Sequence, residues 1–467
     1  MKRFSSLMLA FVLTAAAGAQ TKAGDFTIDP LPGQRLGPVK MRAVGPRATG
    51  GAVRPCVENI CDTTQPHTCL EVNFQETAWR TCISNQGRRS LTLGPTDLRR
   101  GPGAPWMRVL REASVADIFV PYHSFTFRLY DMMQGSAESL LEMQQPDVGP
   151  NGTLVTLSNQ AFPQVGAELN DRGIAWLCKG LTGQQVRRGQ ELVLWGVFDA
   201  QNYDFVIAQT VVDDEVVVLR DDGSLAFHMG STGFNNPYFP PLSTTDAHMH
   251  STLWRVDVDL NGSGGDSAHT LEHHEGNIPP TPLAAVDTET PFNGGREGTM
   301  VWDPTLFNTI LIEDEATRNA HGNLIGYELH ANPEGLSRHY GQESGMVARQ
   351  EKFTKFDFAV THFKQSERDA FFDTPHIRYL DPDQYLLGVN PFPGFGVGDN
   401  ESVTDTDLVL WYRASVHHDP HDEDHAPGDA NNLMTGITLV HWSGFELIPR
   451  NLFDFNPLGG PSRDNCQ

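Results

Sequence analysis

The chain is 467 residues long, with 34 Lys and Arg against 58 Asp and Glu for a formal net charge of −24, and it contains 44 Gly and 31 Pro. That length supports a large core and, by length alone, about three domains, while the Gly and Pro content favours many turns over long helices. The acidic balance argues against nucleic acid or an anionic membrane surface as partner; it mildly favours cationic small molecules and equally serves to keep a secreted protein soluble.

In chain order, Lys2 and Arg3 precede an apolar run from Leu7 to Ala17, and Ala17-Gly18-Ala19 fits a signal-peptidase site. Residues 1–19 therefore read as a signal peptide, with a mature, secreted or periplasmic product beginning near Gln20. No later segment approaches the ~20 apolar residues of a membrane span. Cys56, Cys61, Cys69 and Cys82 cluster early. In an oxidising compartment they predict disulfides, and their spacing lacks the paired knuckles of a zinc site, although the connectivity stays open. Cys178 and Cys466 pair together, stay free or bridge chains. Residues 20–76 read as a Cys-containing linker or cap, and 77–467 as the main domain.

From Trp79 onward short apolar segments alternate with turn residues, an all-β pattern interrupted by a possible helix around Ala137 to Met143. Extended segments run through Ala116–Tyr122, Phe127–Asp131 and Glu191–Phe198. The apolar stretches Val206–Val212 and Val216–Leu219 flank Asp213-Asp214-Glu215 and suggest a hairpin. The segment from His248 to Asp259 is rich in β-branched and aromatic residues and reads as a strand. Alternation then puts His248 and His250 on one face with Thr252, Trp254, Val256 and Val258, and Asp257 and Asp259 on the other. Imidazole pairs suit copper or zinc; carboxylates with a backbone carbonyl between them suit calcium. An isolated His-x-His is more often a pair of surface histidines than a metal site. Downstream, Asp407 and His418 fall on opposite parities of a further strand, so one suits the carboxylate side and the other the imidazole side. His417, His421 and His425 read as solvated.

Seven motifs occur in one order: Val-Pro-Tyr at 120–122, Val-Arg-Arg at 186–188, Asn-Tyr-Asp at 202–204, His-Met-His at 248–250, Asp-Val-Asp at 257–259, Asp-Leu-Val at 407–409 and Gly-Phe-Glu-Leu-Ile-Pro-Arg-Asn-Leu-Phe-Asp at 444–454. Singly each is weak. Together, over roughly Trp79 to Pro461, the chain resembles the catalytic domain of the copper-containing amine oxidases.

The resemblance implies a large β-sandwich, assembled as a homodimer, that oxidises primary amines with O2. It implies that Tyr203 is the precursor of the topaquinone cofactor, with Asn202 beside it. It further implies His248, His250 and His418 as copper ligands, Asp131 as catalytic base, Tyr122 as the tyrosine bonded to the cofactor oxygen and Leu129 at the channel gate. Asp257, Asp259 and Asp407, with the carbonyls of Val258 and Leu408, match a peripheral calcium site. Some positions depart from the family pattern. Asp199 and Phe205 stand where the quinone motif usually has Thr and Tyr, and the loop from Tyr122 to Asp131 is shortened. Two other readings accompany this one: a copper-binding β-sandwich that forms no quinone, and an unrelated metallo-β enzyme using the three histidines for zinc or iron.

Overall fold

The computed structural model describes residues 41–43, 52–62, 66–85, 91–121, 128–130, 140–149, 152–158, 160–180, 183–199, 212–232, 248–262, 264–274, 286–331, 356–364, 400–418 and 441–458. Among these the chain is almost entirely strand, in one sheet of eleven strands and one of ten. Apart from a parallel pairing of Met41–Ala43, every strand pair is antiparallel. The all-β chain expected from turn spacing, and the large β-sandwich that the resemblance implies, are therefore what forms.

The strand His248–Val258 sits inside the ten-stranded sheet, between Leu408–His418 and Trp106–Pro121. Its alternation has a clear physical outcome. Trp254, Val256 and Val258 face the hydrophobic core, joined there by Leu408, Leu410 and Tyr412 from the neighbouring strand. The opposing sheet contributes Phe227 and Phe445, whose rings lie 5.6 Å and 6.2 Å from Trp254, while Tyr412 is 4.5 Å from Phe445. One aromatic seam thus joins the two sheets, each buried ring adding roughly 1 kcal/mol of specific ring contact to its area term.

Two local expectations are corrected. Val212–Arg220 is one continuous strand, so Asp213-Asp214-Glu215 is not a turn. Those three residues are paired on both sides, with Phe198, Val197 and Gly196 and with Ser231, Gly230 and Met229. A ladder on each flank satisfies the backbone fully, which outweighs the poor strand propensity of Asp. The turn comes later, at Asp221–Ser224, where Gly223 adopts φ +86° and its carbonyl accepts from the buried Tyr327 hydroxyl at 2.8 Å. The second correction concerns Ala137 to Met143. Its described part, Leu140–Met143, is not helical: the amides of Leu141 and Met143 donate to the carbonyls of Val197 and Pro163.

The early cysteines form two disulfides, Cys56–Cys69 and Cys61–Cys82. They tie the segment before Thr68 to the edge of the ten-stranded sheet, which Thr68–Asn73 and the short strand Arg54–Pro55 extend. Among the described residues no helix is long and apolar enough to cross a membrane.

Candidate active site

Three strands that carry predicted site positions, and a fourth that leads to Tyr122, are neighbours in one sheet. Arg128–Tyr130 pairs with Trp106–Pro121, which pairs with His248–Val258, which pairs with Leu408–His418. In the last pair the register aligns His248 directly with His418, and His250 with Val416. Directly opposed antiparallel residues share a face with Cβ atoms about 5 Å apart, so the backbone gathers positions 248, 250 and 418 on one patch of the core-facing side. His250 is buried at 4 % exposure. One register step further along the strand, Thr252 donates its hydroxyl to Met229 Sδ of the opposing sheet at 3.1 Å. Three imidazoles at such positions suit copper, so the backbone arrangement fits that ion.

The remaining predicted residues of this site are less fully described. Leu129 pairs in register with Val120, and Pro121 with Arg128, which forms the hairpin that leads into position 122 and out to position 131. Ser251 aligns with Phe119, so the residues before Ser251 run alongside that hairpin. Tyr122, Asp131, Asn202 and Tyr203 themselves lie outside the described residues. Position 199 ends the strand Gly183–Asp199 of the opposing sheet, aligned with Val212.

On the opposite face of the histidine strand lies a buried acidic cluster. Asp257 and Asp259 are 1 % and 5 % exposed, and Asp407 directly precedes the strand Leu408–His418. Each carboxylate has one oxygen turned towards an arginine. Arg255 Nη2 is 3.4 Å from Asp257, Arg111 Nη1 is 3.2 Å from Asp407 and Arg108 Nη1 is 3.9 Å from Asp259. The Oδ1 atom of each is buried without a hydrogen-bond partner. Asp266 joins them: its Oδ2 accepts from the Leu260 amide at 3.1 Å, and its Oδ1 also lacks a partner.

Desolvation pushes the Asp257 carboxyl up to about 7, against the pull of Arg255, and that of Asp266 up to about 9. Four unpartnered carboxylate oxygens in a dry site suit a hard cation, which takes six to eight oxygen ligands. The carboxylates stand apart on their separate arginines, however. Among the described residues, the groups whose ligand atoms come within 4.8 Å of one another are the disulfide cysteines Cys61, Cys69 and Cys82 and the set His269, Glu289 and Glu313. A cation at Asp257, Asp259 and Asp407 would meet their unpartnered Oδ1 atoms, while the guanidinium groups face the Oδ2 atoms.

Sequence reasoning missed Asp266, Glu112 and the three arginines. Asp266 had a readable signal, because the glycine-rich turn Asn261-Gly262-Ser263-Gly264-Gly265 returns the chain directly beside Asp259. Thr406 then clamps it by reciprocal backbone bonds of 3.2 and 2.9 Å. Glu112 had none, since its place beside Asp257 depends on pairing with a strand some 145 residues away.

Residues 170–464 match the model of the copper amine oxidase enzyme domain. Primary amine oxidase 2 of Arabidopsis thaliana is 24% identical over 296 residues, covering 59% of this chain and 39% of that protein. Primary amine oxidase of an Arthrobacter species is 22% identical over 282 residues, covering 58% and 40%. This chain thus spans about two fifths of the length of these curated relatives. Among solved structures, the copper-containing benzylamine oxidase of Hansenula polymorpha superposes with a TM-score of 0.65 at 15% identity, over 92% of this chain and 65% of that one. A lysyl oxidase of Pichia pastoris gives 0.60 at 14% identity, over 84% and 55%. Those two likenesses concern the fold. With the enzyme-domain match covering well over half of its residues, the chain belongs to the copper amine oxidase family.

Proposed function

We propose that this protein is a secreted or periplasmic copper- and quinone-dependent primary-amine oxidase that acts as a homodimer. The observation that most supports this reading is the alignment of His248 with His418 beside buried His250, next to the hairpin leading to Tyr122 and Asp131. Overall, a primary amine would lose two electrons and two protons to dioxygen and, with water, yield an aldehyde, ammonia and hydrogen peroxide.

His248, His250 and His418 would hold copper and Tyr203 would be the precursor of topaquinone, groups that together supply the redox chemistry no ordinary side chain provides. The other roles belong to the chain itself. Asp131 would accept the proton from the carbon bearing the amine, a task that a partly desolvated carboxylate performs because burial raises its basicity. Tyr122 would hold the cofactor oxygen by its hydroxyl, and Asn202 would restrict the ring at 203. Leu129 would shape the channel mouth, and the net charge of −24 would draw ammonium substrates inwards. Asp257, Asp259 and Asp407, with the carbonyls of Val258 and Leu408, would hold calcium on the far face and brace the histidine strand.

The test is peroxide release from a set of primary amines by full-length protein loaded with copper under air. The reading expects copper-dependent turnover that is lost in Tyr203→Phe and His250→Ala. Turnover retained by Tyr203→Phe, or absent from copper-loaded wild type with every amine, would overturn it.

A further inference from the structure

Away from the histidine strand, three metal-ligating side chains meet at the edge of the eleven-stranded sheet. The edge strand Val286–Pro291 pairs with Asp266–His274, which pairs with Thr309–Arg318. The register aligns Glu289 with Leu271 and Glu313 with Ser267. Glu289 and Glu313 therefore sit two residues to either side of His269 on the strand between them. Equal parity puts all three on one face, along a diagonal that crosses three strands.

The side chains converge. One ligand atom from each lies within 4.8 Å of the others, and His269 Nδ1 is 3.4 Å from Glu289 Oε1. Three further features point to a bound cation. Glu313 is 6 % exposed, so its carboxylate has given up most of its water. It lies in hydrogen-bond range of the Glu289 carboxylate, a contact between two acids that is repulsive unless a proton or a metal ion stands between them. His269 Nε2 is buried without a hydrogen-bond partner, while Nδ1 faces the Glu289 carboxylate that would share the ion with it.

Glu315 adds negative potential at Glu313, and the nearby cation, Arg450, holds Glu328 Oε2 at 3.1 Å. Burial and Glu289 together push the Glu313 carboxyl up to about 7.

The geometry points to a further metal site, in which His269, Glu289 and Glu313 bind a zinc-class divalent ion and clamp the last three strands of the sheet edge. One imidazole and two carboxylates make three protein ligands, leaving a position for water. The role is structural. Asp266–His274 continues from the turn that carries Asp259, so the clamp anchors the strand that follows the histidine strand.

The test uses full-length protein already saturated with copper, titrated with zinc against a chromophoric chelator, with metal content measured after gel filtration. One zinc per chain is expected beyond the copper. His269→Gln and Glu313→Gln should weaken zinc at least about 100-fold while leaving copper content unchanged. Glu289→Gln lies on an exposed edge strand, where folding is not at risk, and should likewise abolish the rise in melting temperature that zinc gives the parent. Absence of zinc binding at micromolar concentration, which would leave a shared proton between the two acids, overturns the proposal. So does a zinc-dependent stabilisation that survives in Glu289→Gln.

Discussion

Arg413 and Asp357 form an ion pair in which both side chains are wholly buried, with Nη2 2.5 Å from Oδ1. Arg413 also donates from Nε to the Phe356 carbonyl at 3.0 Å and from Nη1 to Ser415 Oγ at 2.5 Å, and Ser415 Oγ is 2.9 Å from Ser251 Oγ. Asp357 Oδ2 accepts from the Trp302 amide at 2.8 Å. The pair thus fastens the strand bearing His418 to the segment before Phe358–His362, on the sheet's outer face. Arg413→Met strands a buried carboxylate, and Asp357→Leu strands a buried guanidinium, each at a cost of about 3–5 kcal/mol. The double variant leaves no uncompensated charge. It should cost less than the sum of the single changes by at least about 2 kcal/mol. Urea unfolding of the full chain, followed by tryptophan fluorescence and far-ultraviolet circular dichroism, measures all three. Single costs below about 1 kcal/mol, or strict additivity, would refute the claim that the pair acts as a desolvated unit.

Two further outcomes are expected. Desolvation pushes the buried Asp221 carboxyl up to about 6, although Arg172 lies 3.1 Å away and the Gln190 amide 2.8 Å away. A carboxyl raised in the folded state favours folding most below its unfolded value and loses that contribution as pH rises through the folded value. Stability should therefore fall by about 3 kcal/mol at most between roughly pH 4 and pH 7 on this account, and urea midpoints for Asp221→Asn should lack that component. Calcium at about 100 times its dissociation constant should stabilise the chain by about 2.7 kcal/mol, seen as a higher melting temperature that Asp259→Asn abolishes. An unchanged melting temperature would leave Arg108, Arg111 and Arg255 as the counter-charges of Asp259, Asp407 and Asp257.

Much of the fold was legible because alternation is a local signal. In His248–Val258 the tryptophan and valines at even positions mark the core face, and the structure buries them there. The opposite parities of His418 and Asp407 were legible for the same reason, and cross-strand register aligns position 418 with position 248. What failed was the inference from composition to turn at Asp213–Glu215, where pairing on two flanks overrides propensity. Also unreadable were Glu112, His269, Glu289 and Glu313, each of which gains meaning only from residues on a different strand. Disulfide formation followed from compartment chemistry, but which cysteines join is a property of register, as in the direct alignment of Cys69 with Cys82 without a bond between them.

The measurement that bears most directly on the proposed activity concerns Tyr203. Metal-free protein is given copper under air, treated with phenylhydrazine, digested and mapped by peptide mass. A coloured adduct on the peptide containing Tyr203, absent without copper and absent in His250→Ala, is the predicted result. An unmodified Tyr203 in fully copper-loaded protein would contradict the account and leave a copper-binding sandwich that makes no quinone.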